Sequence, residues 1–251
     1  MPSIQELVAQ FGAEQETAYT AYRQVEVMVT RASAPGKEAE KAQLAAELTG
    51  ALWAMTEATK DDKGKEIPPR IRYPLVTRIK ILRLLSYVAG AKEVPAVAKA
   101  MDDLDLREDA RCALDRDPSE KATKALVDAL DASAGPQFRV GIVGSLAKRP
   151  SAQAMAALQK ATSDPEPEVA VAAVMALANF PEPANDDFIV KATHCKCPVA
   201  RANALKARVR FAENLSKAGA TFAAKKVYQS IASGDADPLQ KKAAEMALKA
   251  M

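Results

Sequence analysis

The chain's single histidine stands in ATHCKCPV, where His194, Cys195 and Cys197 fall within four positions. Imidazole nitrogens and thiolates are zinc ligands, but a closed zinc site takes four of them at workable spacing. Cys112 is the only other thiol, so Asp186 or Asp187 would have to complete the set. The competing reading is a loop between helices that carries incidental cysteines. No cofactor and no metal site are expected, and these three residues are the only metal candidates. A second group, Asp102, Asp103, Asp105, Glu108 and Asp109, could support acid–base work if the local environments pushed the carboxyl pKa values apart. Its position at a helix–helix turn favours capping instead, because carboxylates are stabilised where a helix begins. GIVGSL, residues 141–146, lacks the third glycine and the preceding strand of a nucleotide loop, and no nucleophile elbow occurs. No catalytic residue can be nominated, and an enzyme is not expected.

Charge supplies the stronger signal. The net charge of +3 hides two basic blocks. Residues 63–83 hold seven cations (Lys63, Lys65, Arg70, Arg72, Arg78, Lys80, Arg83) against Glu66 alone. Residues 191–226 hold nine (Lys191, Lys196, Arg201, Lys206, Arg208, Arg210, Lys217, Lys225, Lys226) against Glu213, which leaves the rest of the chain at −11. Blocks of this kind are solvated faces or surfaces that attract an opposite charge. Lys206, Arg210 and Lys217 follow i, i+4, i+11 on one expected helix, with Glu213 placed to pair with either arginine or lysine.

The elements that would carry these residues are written in the apolar spacing. Val169, Ala173, Ala176 and Leu177 lie on one helical face, with Asp164-Pro165 ahead of them as a helix start. Phe138, Ile142, Ser145 and Leu146 repeat the spacing 31 residues earlier, and Leu106, Ala110, Ala113 and Leu114 repeat it 32 before that. Alternating with them are Val94, Val97, Ala98 and Met101, then Ala122, Ala125, Leu126 and Ala129, then Ala154, Ala157, Leu158 and Ala161. A helical hairpin recurs every 28 to 32 residues. One such hairpin cannot bury its stripe alone, whereas stacked copies can, so the expected fold is an all-α, superhelical α-solenoid.

DPEPEVAVAAVMALANF, FRVGIVGSLAKR and LREDARCALDRD resemble second helices of HEAT-like repeats, which begin at an Asp-Pro turn and continue Val-Arg, Ala, Ala-Leu. Arg107 and Arg139 stand where that family carries its arginine; Ala170 replaces it in the next copy and breaks any arginine ladder there. The resemblance spans about residues 74–180 and implies a fold more than a function. HEAT-like di-iron hydroxylases need several His–Glu pairs, which one histidine cannot supply. HEAT-like alkylpurine DNA glycosylases use several tryptophans and a catalytic aspartate, and Trp53 is the only tryptophan. A HEAT-like pigment or cofactor lyase finds no residue in its favour.

The flanks differ from the repeats. Residues 1–60 read as an N-terminal helical cap, with Ala18, Ala21, Tyr22, Val25 and Val29 on one helix, Leu44, Leu48, Leu52 and Met55 on the next, and ASAPG as the turn. Trp53 lies off the second stripe and is expected to pack on the neighbouring layer rather than anchor a partner. Residues 61–73 read as a basic linker, 74–193 as HEAT-like repeats, and 194–251 as C-terminal helices that resemble a tetratricopeptide hairpin at Leu215, Ala218, Gly219, Ala224 and Tyr228. In such a hairpin the small residues allow close helix contact. MPSIQELVAQFG carries Glu6 and no continuous apolar core, so no secretory signal is expected. The longest apolar run, Val169–Ala178, is short of the roughly 18–20 residues of a membrane span. Three sparse cysteines fit a reducing, cytoplasmic setting.

The function expected is a non-enzymatic scaffold or adaptor that binds protein partners along an extended surface, the partner being acidic and self-association included. The alternative is a nucleic-acid-binding, DNA glycosylase-like protein. Candidate binding residues are Arg78, Arg83, Arg107, Arg139, Arg201, Lys206, Arg208, Arg210 and Lys217.

Overall fold

The computed structural model describes residues 2–132, 135–234 and 236–251. Among them are fourteen α-helices, and strand is confined to two dipeptides, β1 (Thr59–Lys60) and β2 (Glu66–Ile67). The fold is the expected all-α solenoid of helical hairpins. Two compact units divide after Leu126, within α7 (Glu120–Ala132).

The first unit opens on α1 (Ile4–Ala9), closed by a reciprocal cap: Ser3 accepts from the Glu6 backbone while the Glu6 carboxylate accepts from Ser3. α2 (Gln15–Ala32) and α3 (Glu38–Leu52) follow, joined by a turn whose Gly36 sits at φ +81°. Ala18, Ala21, Val25 and Val29 of α2 and Leu44, Leu48 and Leu52 of α3 are buried as their spacing requires. Met55 is not, at 49 % exposed. Helix α3 stops at Leu52 with Trp53 as its cap residue, so the stripe ends before Met55, which enters an antiparallel bridge with Ile71.

That bridge begins a β-ribbon where the sequence suggested a plain linker. Thr59 pairs with Ile67 and Lys60 with Glu66, and the turn is held by Asp61, whose carboxylate accepts from the backbone of Lys63 and Lys65. Gly64 supplies the left-handed residue at φ +77°. The chain then enters α4 (Leu75–Val88), α5 (Val94–Lys99) with a 3-10 turn after it, and α6 (Arg107–Arg116). α4 packs against α3 on one side and α6 on the other. Ile81, Leu82, Leu84, Leu85 and Val88 are therefore all buried, each worth about 1.5–3 kcal/mol of transfer free energy.

The second unit holds α8 (Pro136–Leu146), α9 (Ala152–Ala161), α10 (Pro167–Leu177), α11 (Asn185–Thr193), α12 (Pro198–Lys217), α13 (Thr221–Ser233) and α14 (Pro238–Ala250). α8, α10, α12 and α14 each carry proline at the first helical position, where the missing N–H costs nothing. α10 stacks on α8 and α12 on α10, while α9 and α11 complete the hairpins. Alanines at the contacts (Ala173 and Ala176 on α10, Ala204 and Ala207 on α12) keep these helices close. α13 packs between α12 and α14, with Ala224, Tyr228 and Ile231 buried. Ala218 and Gly219 do not mediate helix contact. They close α12: Gly219 adopts φ +82°, and the Ala220 N–H donates to the Leu215 carbonyl, a left-handed helix stop.

Candidate functional site

Within each unit, polar side chains tie successive layers together, and this decides which cations face solvent. Arg139 on α8 donates from both terminal nitrogens to the two carboxylate oxygens of Asp164, at 2.8 and 2.9 Å. Asp164 lies in the turn before α10 and also accepts from the Glu166 backbone, so one carboxylate caps a turn and holds the preceding helix. Arg78 on α4 meets Asp103 at 3.4 Å in the same 25-residue register, with Asp103 accepting from the Asp105 backbone. Arg208 on α12 reaches Asp186 on α11 at 2.9 and 3.0 Å. The Arg139 and Arg208 pairs are bidentate and charge-assisted, among the stronger hydrogen bonds in proteins, whereas Arg78–Asp103 is a single contact.

Three of the nine candidate binding cations are consequently internal. Arg78, Arg139 and Arg208 are committed to carboxylates, and Arg78 and Arg208 are each only 8 % exposed. Arg83 pairs with Asp109 at 2.9 Å, which holds its guanidinium pKa above the usual value through that hydrogen bond. Arg107 is half-buried and engaged by neighbours. Arg201, Lys206, Arg210 and Lys217 all lie on α12 and are exposed, and among the described residues none has a carboxylate partner. Arg210 does donate to the Met175 carbonyl at 2.7 Å, which fixes its direction. Glu213 pairs with neither Arg210 nor Lys217 among the described residues. Three of the five acidic residues are spent on structure: Asp103 on Arg78, Asp109 on Arg83, Glu108 on Arg111.

Trp53 meets the first repeat layer. Its indole N–H donates to the Ala96 carbonyl at 2.9 Å, and its ring lies under two cations, Arg78 at 4.7 Å and Lys99 at 4.3 Å. An aromatic that charge did not mark lies at the other end: Phe222 is 72 % exposed at the start of α13, with the Lys226 ammonium 4.7 Å from its ring centre. The buried positions 224, 227, 228 and 231 place residue 222 on the outer side, a signal that the spacing alone carried.

The loop between α11 and α12 separates the metal candidates. His194 lines a pocket of about 270 Å³ with Arg201, Arg208 and Ser230. Cys195 and Cys197 line a different one, of about 350 Å³, between α10, α11 and α12. Among the described residues no three histidine, cysteine or carboxylate side chains come together to hold a metal ion. No helix of the described residues is long and apolar enough to cross a membrane.

With that geometry in place, residues 123–208 match the family model of HEAT repeats. Over these residues the chain is similar to HEAT repeats. The archaeal HEAT-like repeats protein from Thermococcus onnurineus NA1 superposes with a TM-score of 0.51 at 15 % identity, over 99 % of this chain and 97 % of that one. The complex of CpcE and CpcF of phycocyanin lyase from Nostoc gives 0.45 at 17 % identity, over 100 % and 95 %. A designed armadillo repeat protein in complex with the peptide (KR)4 gives 0.41 at 17 %, over 99 % of each chain. Likeness at such identity is one of fold. No curated protein matches the chain. The HEAT stretch runs into α12, so the helix that presents the exposed cations also belongs to the repeat stack.

Proposed function

We propose that the chain is a non-enzymatic scaffold that binds a protein partner of acidic surface through the outer face of α12. The observation that carries this reading is the sorting of cations on one helix. Lys206, Arg210 and Lys217 fall within about 40° of one another at 100° per residue. All three are exposed without a carboxylate among the described residues, whereas Arg208 points inward to Asp186. Unneutralised charge gathered on one face raises the rate at which an opposite surface arrives and sets its orientation. Phe222 and Lys226 add an exposed aromatic of the kind that anchors interfaces. A second copy of this chain is one partner that fits, since a surplus of acid lies outside the two basic blocks. A cytoplasmic location goes with the reading, and three free thiols suit a reducing compartment.

Nucleic acid would use the same charges but needs faces for base stacking; Trp53 is already covered by Arg78 and Lys99, and Lys226 lies over the exposed Phe222 ring. The test is affinity purification at physiological salt with the wild-type chain and with Lys206→Glu/Arg210→Glu/Lys217→Glu. A specific protein held by the first and released by the second supports the reading. Equal retention by both chains overturns it, and nucleic acid recovered in place of protein turns it to the alternative.

A further inference from the structure

The second pocket stands where a ladder rung is missing. Arg139 finds Asp164 at a separation of 25 residues, and the corresponding arginine position 31 residues on is Ala170. The same separation from Ala170 lands on Cys195, so guanidinium and carboxylate are lost together. Arg139–Asp164 ties α8 to the turn before α10, and Arg208–Asp186 ties α12 to α11. Beside Ala170 lies the cavity of about 350 Å³, lined by Val171, Val174, Phe188 and Ala204 together with Cys195 and Cys197.

Its chemistry is uneven. The wall is aliphatic and aromatic, and sulfur is soft and weakly polar. Lys191 on α11 also lines the pocket; it is exposed and has no ion-pair partner among the described residues. An apolar cavity of this size falls within the range of small-ligand sites, where a few polar groups orient a largely apolar ligand. One unpaired ammonium beside an apolar hollow is complementary to an amphipathic monoanion. Metal is disfavoured, since the two thiols find no third ligand among the described residues.

We propose that this vacated rung is a binding site for a small amphipathic carboxylate, a medium-chain fatty acid or a compact aromatic acid. The apolar body lies against Val171, Val174 and Phe188, and the carboxylate lies at the Lys191 ammonium. The site is independent of Lys206, Arg210 and Lys217, so it stands whether or not α12 binds a protein.

The probe is decanoate below its micellar concentration, titrated calorimetrically into the full chain. One saturable site is expected. Lys191→Met should weaken it about tenfold by removing the charge-assisted contact. Ala170→Arg/Cys195→Asp, which rebuilds the rung and fills the cavity, should abolish it with helical circular dichroism unchanged. Because the double variant could fail to fold, a second measurement uses Cys112→Ser/Cys197→Ser, in which decanoate should slow modification of Cys195 by a thiol reagent several-fold. A wild-type chain that takes up no decanoate, a folded rung-restored chain that takes it up undiminished, or an unprotected Cys195 overturns the site.

Discussion

Arg139 and Asp164 face one another through two parallel hydrogen bonds of 2.8 and 2.9 Å, with both side chains largely withdrawn from water. Removing either partner leaves the other charge buried and unmatched. Arg139→Ala or Asp164→Ala should therefore cost roughly 3 kcal/mol of stability in urea denaturation. The double variant should lose much less than the sum of the two, because it leaves no orphaned charge.

Neighbouring cations on α12 should part company in the same assay. Arg208→Ala removes the bidentate contact to Asp186 and should destabilise by roughly 3 kcal/mol. Lys206→Ala should change stability by less than about 0.5 kcal/mol, as exposed positions do. Its effect belongs to association, where one exposed charge contributes roughly 0.2–1 kcal/mol. Urea midpoints and association rates measured side by side check the division.

Trp53 should emit to the blue of free tryptophan and resist acrylamide, because its indole is hydrogen-bonded to Ala96 and half-buried. Arg78 and Lys99 over the ring add an electrostatic signature. Iodide should quench more than caesium, and Lys99→Ala should narrow the difference. Equal quenching by the two ions would contradict the arrangement.

Two of the five tyrosines should ionise late. Burial pushes the Tyr22 phenol above its ordinary value, assisted by the Glu26 carboxylate, and burial with Glu213 does the same to Tyr228. A raised folded pKa means that the protonated form is favoured by folding. The associated stability is present below the unfolded phenol value of about 10 and is lost as pH rises through the folded one. Alkaline absorbance titration should show a late phase that Tyr22→Phe and Tyr228→Phe each reduce.

The architecture was legible because a solenoid repeats its apolar stripe. Val169, Ala173, Ala176 and Leu177 are buried as their spacing demands, and so are Phe138, Ile142 and Leu146. The ribbon at 59–67 was not legible, since strands of two residues are too short to show alternation. Met55 misled for a related reason: it continues the α3 stripe in sequence, but the helix ends three residues before it. Among the cations, sequence gives the charge and withholds the direction. Arg208 and Arg210 are two residues apart, yet one is buried on Asp186 and the other exposed. The loss of arginine at Ala170 was readable. The loss of its carboxylate at Cys195 was not, because the 25-residue register that joins them is a property of the stacked helices.

Pro136, Pro167 and Pro198 head three successive stacked helices at intervals of 31 residues. Length in this part of the chain is thereby quantised. Duplication or loss of a segment of that size returns every following proline to a helix start and every buried residue to a buried place. A segment of another size placed within a helix slides guanidinium groups opposite aliphatic walls and prolines into helix interiors. Changes of length that keep this stacking intact within the helices come in whole steps, and each step adds reach without new chemistry.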